Sequence, residues 1–215
     1  MVTSMTDAAN TNDPRPYHHG DLSRALVDAA RRLLEQDGPS ALSLRAVARE
    51  AGVSPAAPYH HFKDKSELLD AVAHQGWDML NERMTEARAK ETTLGDKLTA
   101  LGVSYVQFAR EHPALYRVMY DCSREKATLP EHLHEADDSA YCQVRDVIAE
   151  VGGEPVSELD IELATTAAWC AAHGLAEMVA FKQFDPMKEA LGGDEAFLRG
   201  VFTHLGIFGS AYPKP

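Results

Sequence analysis

The sequence predicts an all-α protein on three observations. Apolar residues recur at helical spacing in almost every segment, no run alternates like a half-buried strand, and capping residues bracket the periodic stretches. With 215 residues, 45% of them hydrophobic, the chain can bury a sizeable core, as one large domain or a small one joined to a larger. The periodic stretches amount to about nine helices.

Residues 1–16, MVTSMTDAANTNDPRP, are polar, lack the apolar run of a signal peptide, and read as a disordered leader. A first helix over 21–36 has Asp21 as N-cap, Leu22, Leu26, Ala29 and Leu33 on one face, and Gly38 as its stop. The second is short: Ser43 caps it, Leu44, Val47, Ala48 and Ala51 form its buried stripe, and Gly52 can take the left-handed conformation that ends it. A third helix is expected from Ser54 to about His61, with Pro55 at the first helical position, where a missing N–H has no intrahelical partner to lose. Two short helices joined by a tight turn, with small Ala48 where they cross, make a helix-turn-helix.

Asp64-Lys65-Ser66-Glu67 opens a long fourth helix in a capping-box arrangement, and Leu69, Val72, Ala73, Trp77, Leu80, Met84 and Ala87 continue it. Leu94, Leu98, Leu101, Tyr105 and Phe108 mark the next helix, which Pro113 ends before a short segment holding Tyr116 and Met119. A further helix is expected from near Pro130 to Gly152-Gly153, and two more over 157–182 and 194–209.

Charge divides the chain. The formal total is −12, yet Arg15 to Lys65 holds eight basic residues against six acidic, with four histidines besides, while from Ala71 onward 13 basic residues face 23 acidic. Local field, not the total, governs attraction to a polyanion, so the N-terminal segment can meet nucleic acid even in an acidic protein.

The phrases YHHGDL, LSLRAVAREAGVSPAAPYHHF and KDKSELL, between Tyr17 and Leu69, closely resemble the DNA-binding domain of TetR/AcrR family transcriptional regulators. The segment AAWCAAHGL, with Trp169, His173 and Gly174, is similar to the C-terminal regulatory domain called WHG in some of them. The resemblance implies a helix-turn-helix domain over 17–68, and a helical regulatory and dimerisation domain over 69–212. It implies a third helix in the major groove of double-stranded operator DNA, with Ser54 at its start and Ala56, Ala57 and His60 toward the bases. Tyr59 and His61 match family positions that contact phosphate, and Ser43 and Arg45 match positions that contact backbone or a base. Lys65 lies in the first turn of a helix, where unpaired N–H groups and the dipole already favour an anion. Ordinary alternatives stand beside these: Tyr59 packed in the small core, Arg45 and Lys65 solvated, Ser43 only a cap. Phe62 is assigned to the core.

Pro58 departs from the commoner family pattern, which has an aliphatic residue before the tyrosine. With Ser54 as cap, the first intrahelical bond, from residue 58 back to Ser54, cannot form. The helix offers no Arg, Asn or Gln for a bidentate base pair, so thymine methyl groups and DNA shape gain weight.

The 157–182 helix is apolar nearly all round, so it must be buried on two sides. Ala164, Ala168, Ala172 and Leu175, with Val201, Phe202 and Leu205 of the last helix, are candidates for a four-helix interface, and the resemblance implies a homodimer. A single monomeric core is the alternative. Tyr105, Phe108, Tyr116, Met119, Trp169 and His173 are candidates to line an apolar pocket for a small organic effector, against ordinary core packing for each and a hydrogen-bonded core role for His173.

No GxSxG, P-loop, HExxH or dinucleotide fingerprint occurs, so neither catalysis nor a cofactor is expected. His132 and His134, two apart on a helix in PEHLHEADD, diverge and read as a solvated face, so no metal site is expected. Cys122, Cys142 and Cys170 form neither a disulfide framework nor a CxxC pair and suit a reducing cytoplasm. The 163–181 stretch carries His173 and Glu177, which argues against a membrane span. The expectation is a cytoplasmic, dimeric repressor released from its operator by a small, largely apolar ligand; the alternative is a helical regulator that acts without one.

Overall fold

The computed structural model describes residues 19–125, 139–152 and 156–210, and among these nine α-helices account for the architecture, with no strand. They are α1 (His19–Asp37), α2 (Leu44–Glu50), α3 (Lys65–Ala89), α4 (Leu94–Glu111), α5 (Pro113–Glu125), α6 (Ala140–Gly152), α7 (Glu158–Met178), α8 (Asp185–Leu191) and α9 (Asp194–Ser210). The predicted leader 1–16, the helix start near Pro130, and His132 and His134 lie outside the described residues.

Local chemistry sets most boundaries. Ser43 Oγ accepts the Ala46 N–H at 3.1 Å and starts α2. Gly52, at φ 69°, ends the turn that follows α2: its N–H donates to the Arg49 carbonyl at 3.2 Å and that of Val53 to the Ala48 carbonyl at 2.9 Å, the paired bonds of a Schellman motif. Asp64 Oδ1 accepts the Glu67 N–H at 3.0 Å while Glu67 Oε2 accepts the Lys63 N–H at 2.7 Å, which anchors α3 at its first turn. Thr93 and Ser157 cap α4 and α7 in the same way.

One continuous hydrophobic core runs along α3, with a smaller part at its start and a larger one beyond. Near the start of α3, Leu68 and Val72 close the smaller part with Leu26, Leu34, Leu44 and Val47 from α1 and α2. Farther on, Trp77, Leu80 and Met84 face Leu101, Tyr105 and Phe108 of α4 and Leu115 and Met119 of α5. Close approach of α3 and α5 needs Gly76, where an added Cβ would stand 2.7 Å from Met119 Sδ.

Three expectations are corrected. The third helix, expected α-helical from Ser54 to about His61, is a turn followed by a 3₁₀ helix over Ala57–His60. The Ala57 N–H donates to Ser54 O at 3.0 Å, Tyr59 to Ala56 O at 3.2 Å and His61 to Pro58 O at 3.0 Å. These three span three residues; Pro58 has no N–H for the four-residue bond to Ser54, and four-residue spacing returns where the Phe62 N–H reaches the Pro58 carbonyl at 2.9 Å. The helix expected over 157–182 ends at Met178, with a short 3₁₀ helix at Lys182–Phe184 and then α8, whose Pro186 start and positive-φ Gly192-Gly193 stop frame seven residues, too few to show a period. The segment after Pro113 is no short stub but the 13-residue helix α5.

Candidate nucleic-acid interface and effector site

The exposed edge of the helix-turn-helix is made of residues left over from capping and core formation. Arg45 and Arg49 project from α2, Ser54 and Ala56 line the turn, and His60 and Tyr59 stand on the 3₁₀ segment, Tyr59 being 54% exposed. Ala57 and His61 are half-buried, and His61 packs beside Phe62 with ring centroids 6.4 Å apart. Pro58 and Phe62 are buried and anchor the segment from beneath. Lys65 donates from Nζ to the Pro39 carbonyl at 2.9 Å, which stations its ammonium over the loop before α2 and leaves two further N–H bonds to give. Ser43 keeps its cap and is exposed.

In the larger part of the core the structure brings four of the six expected pocket residues together. Tyr105 Oη lies 3.1 Å from Tyr116 Oη and 3.3 Å from His173 Nδ1, Tyr116 Oη reaches the same nitrogen, and Tyr120 Oη closes on Tyr105. Trp169 lies edge-on to Tyr105 at 5.2 Å and near-parallel to Trp77 at 6.4 Å. Either hydroxyl can donate in the Tyr105–Tyr116 and Tyr105–Tyr120 contacts, and the tautomer of His173 sets whether its Nδ1 accepts from the phenols or donates to them. Burial, with Tyr120 and Tyr116 alongside, pushes the Tyr105 phenol far above its ordinary range, and burial pushes Tyr120 up to about 12. Phe108 and Met119 are buried in the same core. The Phe108 ring packs on His112 at 5.0 Å, and Met119 lies against Gly76.

Sequence reasoning missed Tyr120, Trp77 and Tyr141. Tyr120 follows Tyr116 by one helical turn, and that spacing was a usable signal. Tyr141 joins from α6 by hydrogen-bonding Glu162 at 3.0 Å and packing on Trp169 at 5.7 Å, a tertiary contact without a local signature.

The outer face of α7 is apolar and open. Leu159 is 66% exposed and Leu163 60%, and Ala164, Ala167, Cys170, Met178 and Phe181 continue the exposed surface. On α9, Leu205 is exposed. Of the other residues assigned to an interface, Ala168, Leu175 and Val201 are half-buried against the chain's own core. Ala172 is buried inside the chain, and the Phe202 ring is seated on Gly102 of α4, where an added Cβ would stand 2.6 Å from it. Both therefore face inward.

Residues 26–72 match the model of bacterial regulatory proteins of the tetR family, and residues 98–203 match that of the tetracyclin repressor-like C-terminal domain. The chain belongs to the TetR family. Its helix-turn-helix is the DNA-binding element of a transcription regulator, and AAWCAAHGL lies inside the second match. A structure of a protein of unknown function from Rhodococcus sp. RHA1 is similar at 29% identity and TM-score 0.66, covering 89% of this chain and 96% of that one. The TetR family regulator of Marinobacter aquaeolei VT8 shares the fold at 19% identity and TM-score 0.58, with 86% and 95% covered. FadR of Bacillus subtilis, solved with stearoyl-CoA, does so at 16% and 0.54, with 85% and 96% covered. Among the described residues no helix is long and apolar enough to cross a membrane, and no group of three or more His, Cys, Asp or Glu is placed to hold a metal ion.

Proposed function

We propose that this TetR family regulator is a dimeric repressor that leaves its operator when a small, largely apolar molecule binds among α3, α4, α5 and α7. One observation carries the reading: α3 is a single unbroken helix with Lys65 at the DNA-facing end and Trp77 inside the aromatic cluster. Twelve residues at 1.5 Å each separate them by roughly 18 Å, so a ligand that shifts Trp77 moves the helix that anchors the reading segment.

In this reading residues 17–68 bind DNA through Ser43, Arg45, Ser54, Ala56, Ala57, Tyr59, His60, His61 and Lys65, and 69–212 regulate and dimerise. The apolar stripe of α7 with Leu205 of α9 supports a second copy as partner, since an exposed row of large aliphatic side chains is unfavourable in water. Acyl-CoA bound by FadR supports effector binding within this fold. A protein that reads chromosomal operators works in the cytoplasm.

The test is thermal-shift screening of the full chain against apolar and amphipathic metabolites, followed by operator release at fixed salt. A compound that raises the melting temperature and weakens operator binding supports the reading. If the dimer binds its operator and no compound does both, the second reading, a regulator without a small-molecule inducer, replaces it; the closed packing of Phe108 and Met119 favours that second reading.

A further inference from the structure

Gln143 of α6 is 6% exposed. Its amide nitrogen donates to Asn81 Oδ1 at 2.6 Å, Thr85 Oγ1 at 2.9 Å and the Asn81 carbonyl at 3.2 Å, all on α3. The Asn81 backbone carbonyl at 3.2 Å can only accept, and it assigns the NH₂ to this side of the amide. Its Oε1 is therefore held as an acceptor, yet it has no hydrogen-bond partner among the described residues. Burying such an acceptor unpaired is costly, and a fixed, desolvated carbonyl is what a donor-bearing molecule would find ready-made.

The position of Gln143 follows from its partner on α3. Asn81, which its amide meets, lies one turn beyond Trp77 on the same face of α3, and Trp77 packs on Trp169. The unpaired oxygen thus borders the aromatic cluster. The Glu162 carboxylate at this side of α7 is engaged by Arg145 Nε at 2.7 Å and by Tyr141, so a buried cation would lack a counter-charge there.

We infer that Gln143 Oε1 is the polar recognition point of the effector site, and that the effector is an uncharged ring compound carrying an O–H or N–H: a phenol, a cyclic alcohol, an indole or an amide. This rests on the ligand-released reading above and gives it a chemical class.

The chain's two tryptophans, Trp77 and Trp169, both lie in the cluster, so intrinsic fluorescence reports on it directly. The full-length dimer is titrated with matched pairs, phenols and indoles against their O-methyl and N-methyl counterparts, and each compound is also assayed for operator release by fluorescence anisotropy. Donor-bearing members should bind about tenfold or more tightly than their methylated partners, and Gln143→Met should reduce that preference to about twofold or less. Equal binding of both members by the wild-type chain overturns the inference, and so does a preference that survives Gln143→Met. The wild-type comparison decides even if the variant fails to fold. Operator release by free and methylated compounds alike would sink this inference and leave the repressor reading standing; donor-selective quenching without release would do the reverse.

Discussion

Replacing Pro58 with leucine tests whether the 3₁₀ geometry of the reading segment sets its DNA contacts. Leucine keeps a buried apolar side chain and restores an N–H able to donate to the Ser54 carbonyl, which now accepts from Ala57 at 3.0 Å. That bond is worth about 0.5–1.5 kcal/mol, so the variant should fold with unchanged or slightly greater stability. The local shape changes more than the stability. A 3₁₀ helix turns about 120° and rises about 2.0 Å per residue against about 100° and 1.5 Å for an α-helix. Over the three steps from Ala57 to His60 the difference is about 60° of rotation and about 1.5 Å of rise. His60 would thus point elsewhere relative to Ala57, and base-edge contacts worth about 1–3 kcal/mol each would be lost or exchanged. Titration of a selected operator and a scrambled duplex at one salt concentration, with thermal melts alongside, should show at least a tenfold loss on the operator and little change on the scrambled duplex. A variant that binds the operator within twofold and keeps the same base preferences would refute the link between Pro58 and the contacts.

Four further outcomes are expected. Ser43→Ala removes the α2 cap and should lower unfolding free energy by about 1 kcal/mol in a denaturant melt, whereas Ser43→Asn should hold it. His112, at the end of α4, pairs with Glu35 of α1 at 2.8 Å, and Glu35 also meets Arg31 at 3.3 Å. A double-mutant cycle with Glu35→Gln and His112→Gln should yield a favourable coupling of about 0.5–1 kcal/mol, and no coupling would remove this pair as a tie between α1 and the end of α4. The Arg83 guanidinium, 2.9 Å away, holds the Glu111 carboxyl below its ordinary value, and Arg110 and Lys188 do the same for Asp194. Groups with folded values below the unfolded ones add stability above the usual carboxylate range and lose it as pH falls through the folded values, so the melting temperature should drop on acidification below about pH 4. Arg83→Gln should blunt that drop. Leu163→Asp places a charge on the open stripe of α7 and should leave the melt of the monomer unchanged while shifting the sedimentation profile from dimer to monomer.

Much of the fold was legible because its signals are local. Ser43, Asp64 and Ser157 each mark a helix start, and Gly38 and Gly52 mark stops with φ of 78° and 69°. The proline in the reading segment announced a missing bond, but which bonds would replace it depended on how Pro58 and Phe62 pack below, and only the fold decides that. The apolar circumference of α7 is real: one side packs inside the chain and the other is exposed on it. It could not tell Ala172, which faces inward, from Leu159 and Leu163, which face out. Phe202 was assigned outward because bulk alone says nothing of Gly102, whose missing side chain makes room for the ring. The cluster around Tyr105 was read in part, since tyrosine, tryptophan and histidine stand out at any position. Gln143 did not, because an amide on a helix becomes informative only when burial removes its water.

Selection of bound duplexes from a random-sequence pool by the purified full chain, with footprinting on the winning site, tests the central claim most directly. A dimeric reader should enrich inverted repeats whose half-sites lie one helical turn or a multiple apart, with protection in major grooves on one face of the duplex. Enrichment of a single asymmetric site, or of no discrete site at all, would contradict it.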